Sequence, residues 1–239
     1  MARRGHAGGG TRATPAVLRL RRGGRARIRQ AGGLEERAGL FVTVEGADFS
    51  GKSTLAGILR DHFPQAHFTR EPGGTPTAER IREVLLDPHL EMDPWTEAYL
   101  YAAARADHTR REILPRLARR QLVICERYLD SSIAYQGYGR GLGADAVRQI
   151  NARAVDGLVP DVTFYLRIEE DERMERARRA GLTPDRIERL GEGFMRRVTE
   201  GFEEIARREP GRVVVLDGRR EPAHLVTVVR EEILRRYTP

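Results

Sequence analysis

Eight consecutive residues, Gly46-Ala47-Asp48-Phe49-Ser50-Gly51-Lys52-Ser53, fit the pattern GxxxxGK[ST] and run on into Thr54. Gly46 and Gly51 let the backbone turn its N–H groups inward around a phosphate, and a helix starting here adds the positive end of its dipole. Lys52 is a compact charge on a thin stem that can reach the β and γ phosphates of a nucleoside triphosphate, and the Ser53 hydroxyl is a hard oxygen ligand for Mg²⁺. Composition singles out the same position: of the 42 Lys plus Arg residues 41 are Arg, and the only Lys is Lys52. The pattern predicts a nucleoside triphosphate with Mg²⁺, with residues 46–54 as the phosphate cradle.

A phosphate loop serves kinases, switches, motors and transporter subunits alike, so the remaining residues must separate them. Arg70 ends a short apolar run and precedes a Gly-rich turn, Glu71-Pro72-Gly73-Gly74-Thr75. An Arg at the C-terminal edge of a parallel sheet points into the ligand crevice. Glu97, Tyr101, Arg105 and His108 recur at i, i+4, i+8 and i+11, one helix face carrying an aromatic plate and a guanidinium. A base can stack on the plate while the guanidinium takes a phosphate or base edge; core packing of Tyr101 and a solvated Arg105 fit the same spacing. Glu126 and Arg127 end another apolar run, suiting a carboxylate near Mg²⁺ and a cation beside a transferred phosphoryl group, or else a plain ion pair. Arg176, Arg178 and Arg179 before Gly181, with Pro184, Asp185 and Arg186 after it, read either as a mobile cationic lid or as an exposed Arg-rich helix.

These residues need a frame. From Leu40 onward short apolar runs at 40–45, 66–69, 122–126, 162–168 and 212–216 alternate with amphipathic stretches, the pattern of a parallel sheet with crossover helices. Leu55, Ile58, Leu59 and Phe63 share one helical face, as do Leu225, Val228, Val229 and Ile233. The expected fold is α/β of the P-loop NTPase type: a five-stranded parallel sheet with helices on both faces, three layers, and a mobile lid.

The 239 residues suffice for one such domain, spanning 40–239, and a tail. The net charge of +7 belongs to that tail: residues 1–39 hold ten Arg and two Glu, which leaves 40–239 at −1. Rich in Gly, Arg and Ala, the tail is expected to be disordered. It reads as an inert extension, a nucleic-acid-contacting arm or a transit peptide; no Ser precedes Ser50, against the last. Nucleic-acid contact is not expected to be the function, since the body is near neutral. The lone Cys125 fits a reducing cytosol, and no run approaches the roughly 18 apolar residues of a membrane span. A soluble, cytoplasmic protein with no membrane partner is expected.

Six segments together resemble the thymidylate kinase family of the nucleoside monophosphate kinase group: VEGADFSGKST, TREPGGT, YLYAAARADH, ERYLDSSIAYQGYGRG, VTFYLRI and RARRAGLTPDRIE. The resemblance implies phosphorylation of dTMP to dTDP with ATP, in a homodimer. It implies that Lys52 holds donor phosphates and that Asp48 lies near the acceptor. Arg70, Arg105 and Arg127 would bind the acceptor's phosphate and base, Tyr101 would stack on the base, and Tyr135 and Gln136 would line the same pocket. Two positions depart from the family pattern. Phe49 follows the loop Asp where some members place a catalytic Arg, so the resemblance is to the bacterial type, with Arg178, Arg179 and Arg186 as the lid candidates. Glu126 stands where Asp is usual, one methylene longer. A nucleotide-dependent switch is the competing class, and no NKxD-type guanine-reading motif occurs in the chain.

Overall fold

The computed structural model describes residues 27–30, 33–36, 39–181 and 186–237. Two short strands, β1 (Arg27–Gln30) and β2 (Gly33–Glu36), pair antiparallel with Arg27 opposite Glu36, forming a two-stranded ribbon separate from the main sheet. The rest of the expected tail, 1–39, falls on residues outside those described, apart from Gly39.

Strand β3 (Leu40–Glu45) leads through the Gly-rich loop into helix α1 (Lys52–His62), followed by β4 (His67–Arg70) and α2 (Pro76–Leu86). Next come α3 (Pro94–His108), a π-helical turn over Thr109–Ile113, α4 (Leu114–Ala118) and β5 (Leu122–Glu126). Helix α5 (Leu129–Ser132) passes into a second π-helical segment, Ile133–Gly139, then α6 (Ala144–Val155) and β6 (Val162–Arg167). Helices α7 (Glu170–Ala180) and α8 (Glu192–Arg208), strand β7 (Val213–Asp217) and α9 (Pro222–Arg236) complete the chain.

The five strands β3 to β7 are all parallel, in the order β4-β5-β3-β6-β7, with the phosphate-loop strand in the middle. The chain first runs out from β3 to β4 and β5, then crosses back to β6 and β7. This reversal opens a crevice at the carboxyl ends of β3 and β5. Alternate side chains of β3 serve opposite faces. Leu40, Val42 and Val44 pack with Leu55 and Leu59 of α1 and Leu225 and Val229 of α9, while Phe41 packs with Ile113, Leu117 and Tyr128. A third apolar cluster joins Phe194, Val198 and Phe202 of α8 to Ile133 and Tyr135 of the second π segment. The expected three layers are thus present. Strand limits differ from expectation by one residue at β4, β6 and β7, so Arg70 closes β4 rather than following it.

Local sequence accounts for most element ends. The Thr75 hydroxyl accepts from Ala78 N–H at 3.1 Å and Pro76 opens α2; Asp93 accepts from Trp95 N–H at 2.8 Å and Pro94 opens α3. The first π turn precedes Pro115, which lacks the N–H for a bond to the carbonyl four residues back and would clash with it. Widening the helix there, with Leu114 N–H bonded to Thr109 O, lets it run on.

Helix α8 approaches the second π segment closely through glycine: a Cβ on Gly201 would lie 2.9 Å from Cα of Ala134 and 2.9 Å from the Tyr138 ring. Gly201→Ala decides between two effects. Helix propensity alone favours Ala by about 1 kcal/mol, whereas overpacking costs about 1–3 kcal/mol. The contact is against backbone, so the expected outcome is a lower thermal midpoint; an unchanged or raised midpoint would show that α8 can shift freely.

Candidate active site

The loop after β3 owes its shape to backbone conformations that side chains resist. Gly46 and Gly51 sit at φ of 143° and 100°, and an added Cβ on Gly46 would meet Leu166 O at 2.7 Å. Gly51 is also the N-cap of α1, with no side-chain cap and no acid in the first turn, so the first N–H groups of α1 are left for an anion. Lys52 is buried and its Nζ donates to Ala47 O at 2.7 Å. Burial, with the nearby Arg127 charge, lowers the ammonium to about 8, although Asp48, Glu126 and Glu45 pull the other way. An arriving phosphate supplies the negative charge that restores it.

Opposite the loop, the sheet order sets the end of β5 beside β3 and that of β4 beyond it. The Ser53 hydroxyl donates to Glu126 Oε1 at 2.6 Å, bringing the two expected metal-binding residues together. No group of three or more His, Cys, Asp or Glu arranged to hold a metal occurs among the described residues. One hydroxyl and one carboxylate is a donor set for Mg²⁺, which keeps several waters and takes its remaining ligands from substrate phosphates. The residues present therefore fit that ion.

Arg127 lies at the junction of two clefts, in a left-handed conformation at φ 64°. It donates to Gly46 O at 2.8 Å, Asp48 Oδ1 at 2.5 Å, Ser131 Oγ at 3.2 Å and the Tyr135 hydroxyl at 3.3 Å. Tyr135 in turn donates to Asp48 Oδ2 at 3.2 Å. Burial pushes Asp48 up, but the charges of Arg127 and Lys52 outweigh it and hold the carboxyl at about 2. Behind this pair, Glu45 accepts from Tyr128 N–H at 2.7 Å and from Ser131 Oγ at 2.5 Å. Its burial and the neighbouring Asp130 push it up to about 7 against those bonds.

The first cleft is lined by Asp48, Phe49 and residues 51–54 of the loop, with Glu126, Arg127, Arg70 and Arg176. The second is lined by Tyr101, Arg105, Tyr135, Gln136 and Ile187. Both are bordered by Asp48, Glu71, Arg82 and Arg127. Two sites that share one wall of guanidinium and carboxylate groups can bring two anionic ligands into contact.

The other expected site residues are distributed as follows. Arg105 is 2% exposed, and its guanidinium is held by Glu71 Oε2 at 2.8 Å, Asn151 Oδ1 and Tyr128 O at 3.0 Å. Glu71 also meets His108 Nδ1 at 2.9 Å, so the Gly-rich turn is pinned to α3. Arg70 is half exposed and pairs with Glu79 at 2.9 Å. Arg178 and Arg179 do not enter either cleft; both are exposed and pair with Glu175 on their own helix. Arg186 is buried, donating to Leu85 O at 2.9 Å and Glu97 Oε2 at 2.7 Å. Residues 182–185, including Pro184 and Asp185, lie outside those described. Arg82 and Glu45 carry no signal in the sequence, because an Arg among 41 and a strand-end Glu are indistinct until the sheet places them; Arg176 belongs to the expected lid cluster but not to its catalytic candidates. Arg176 borders the loop cleft and donates to Gly218 O at 2.9 Å.

A family profile described as thymidylate kinase matches residues 44–229. The chain belongs to the thymidylate kinase family. A thymidylate kinase of Pelotomaculum thermopropionicum is 45% identical over 204 residues, covering 82% of this chain and 94% of the relative. One from Deinococcus radiodurans is 46% identical over 186 residues, covering 76% and 90%. Among solved structures, the thymidylate kinase from Ehrlichia chaffeensis matches with a TM-score of 0.65 at 30% identity, covering 83% of this chain and 99% of that one. The family match takes in the phosphate loop and the residues lining both clefts.

Glu45 gives this family member a signed pH response. Its carboxyl is raised from 4.5 to about 7 on folding, so the stability it contributes is complete below about 4.5 and is lost as pH rises through about 7. Glu45→Gln removes that titration. The unfolding free energy of the variant relative to wild type is expected to rise by roughly 1–3 kcal/mol between pH 4.5 and pH 8 in urea titrations. A difference independent of pH would mean that Glu45 titrates normally.

Proposed function

We propose that the chain transfers the γ-phosphoryl group of ATP to dTMP, giving dTDP and ADP. The observation that carries this reading is the pair of clefts that share Arg127 and Asp48, one floored by the phosphate loop and one lined by Tyr101 and Gln136.

In this reading the loop amides and Lys52 grip the donor phosphates, while the acceptor's phosphate lies against Arg127, with Arg70 and Arg82 turning in from its rim. An oxygen of the dTMP phosphate attacks the γ phosphorus and the bond to the ADP oxygen breaks, with charge spread over the transferred group. Arg127 is held in place by Asp48 and Tyr135, so little reorganisation is needed as that charge develops. Mg²⁺ held by Ser53 and Glu126 would neutralise phosphate charge. Tyr101 supplies the stacking plate for the base and Gln136 a polar edge. Arg105, with its guanidinium taken up by Glu71, Asn151 and Tyr128, shapes the cleft wall. Of the lid arginines, Arg176 reaches the donor side in this arrangement, while Arg178 and Arg179 would need the lid to move. A homodimer and a cytoplasmic location belong to the same reading; no helix among the described residues is long and apolar enough to cross a membrane.

A coupled ADP-release assay with dTMP, dGMP and AMP tests the substrate, with turnover on dTMP expected; turnover on another monophosphate in place of dTMP would overturn the assignment. Lys52→Ala is expected to abolish turnover, and Arg127→Ala to lower kcat by about 10²–10³-fold. Wild-type rates in either variant would remove that residue from the mechanism.

A further inference from the structure

Gln136 sits on the wall of the acceptor cleft, 1% exposed, in the second π segment. A glutamine amide has two faces of nearly equal shape and opposite polarity. Left free, it can rotate by half a turn and offer either its oxygen or its NH₂ to a ligand. The two pyrimidine types differ in just this respect. Thymine and uracil carry a donor at N3–H between two carbonyl oxygens, whereas cytosine has an acceptor at N3 beside an amino group. A freely turning glutamine would match both.

Here the amide is not free. Gln136 Nε2 donates to Glu97 Oε1 at 3.0 Å. Glu97, on α3, is fully buried and also accepts from Arg140 Nη2 at 2.5 Å and from Arg186 Nη1 at 2.7 Å. Burial pushes its carboxyl up, but the bonds from Arg140, Gln136 and Arg186 outweigh it and hold the group below the ordinary carboxylate value. An ionised carboxylate has no proton to give, so the amide group facing it must be NH₂ whichever way the side chain is drawn. The oxygen of Gln136 is then the atom left for the cleft.

We propose that Glu97 is the specificity-positioning residue of the acceptor site: it locks the Gln136 amide with its oxygen toward the base, selecting pyrimidines with an N3–H donor. The inference rests on the dTMP reading above and adds the means by which cytosine is rejected. A cytosine N3 would face the locked oxygen lone pair to lone pair, and turning the amide to accommodate it would set Oε1 against the Glu97 carboxylate. Because Ile187, the neighbour of Arg186, lines the cleft, the same carboxylate ties this part of the cleft wall to the base-reading amide.

The test is steady-state kinetics with dTMP, dUMP and dCMP. The last two both lack the 5-methyl group and differ only along the N3–C4 edge. Wild type is expected to prefer dUMP over dCMP by at least about 100-fold in kcat/KM. Glu97→Gln, whose amide can donate to a turned Gln136, is expected to narrow that ratio at least about tenfold, through KM rather than kcat. Gln136→Met, which deletes the reading amide and leaves Glu97 to its arginines, is expected to narrow it similarly and serves if Glu97→Gln does not fold. A wild-type ratio below about ten, or either folded variant keeping the wild-type ratio while losing activity equally on both substrates, overturns the proposal and leaves the dTMP reading intact. Failure of wild type to turn over dTMP overturns both.

Discussion

A half-buried guanidinium set between two anion sites has to be neutralised before any ligand arrives, and the Arg127–Asp48 pair meets that constraint. Arg127 leaves the end of β5 in a left-handed conformation and reaches the carbonyl of Gly46, the carboxylate of Asp48 and the hydroxyls of Ser131 and Tyr135. The partners come from the phosphate loop, from α5 and from the second π segment, so these elements and the end of β5 are registered against one another through a single side chain. Removing one partner from this half-buried pair leaves the other charge facing the clefts without compensation. Around this centre the pattern repeats: Glu71 holds Arg105 and His108, and Glu97 holds Arg140 and Arg186. The acceptor side is a set of cations prearranged by carboxylates, ready for an anionic nucleotide.

The frame was legible wherever local pattern and sheet logic agree. The run from Leu40 to Ser53 contains its own strand, turn residues and helix start, and the structure places them in that sequence. Apolar runs alternating with helical periods imply a parallel sheet, and a parallel sheet gathers strand ends on one edge, where Arg70, Glu126 and Arg127 meet. The two π-helical segments were not legible, because a five-residue bond spacing leaves almost the same apolar period as a four-residue one. Pro115 is a trace of the first.

The roles of individual charged residues were harder to read, for a compositional reason. In a chain where nearly every basic residue is Arg, residue type says little about which guanidinium faces a ligand. Arg176, Arg178 and Arg179 are equivalent on paper. One turns toward Gly218 and the loop cleft while the others lie on their own helix with Glu175. Glu97 shows the same limit from the acidic side: its spacing with Tyr101 and Arg105 marks a face of α3, but its bonds to Gln136 and Arg186 span 39 and 89 residues. Contacts of that range are set by the packing of whole elements.

The scarcity of lysine has a practical corollary. Besides the α-amino terminus, the chain carries one primary amine, and it sits sequestered beneath the phosphate loop against the carbonyl of Ala47. Guanidinium groups resist ordinary acylation, so amine-directed labelling finds a surface with no competing side-chain targets. Whatever occupies the loop shields that lone nucleophile. The protein therefore carries a built-in chemical reporter of donor-site occupancy, readable by mass without a mutation or a tag.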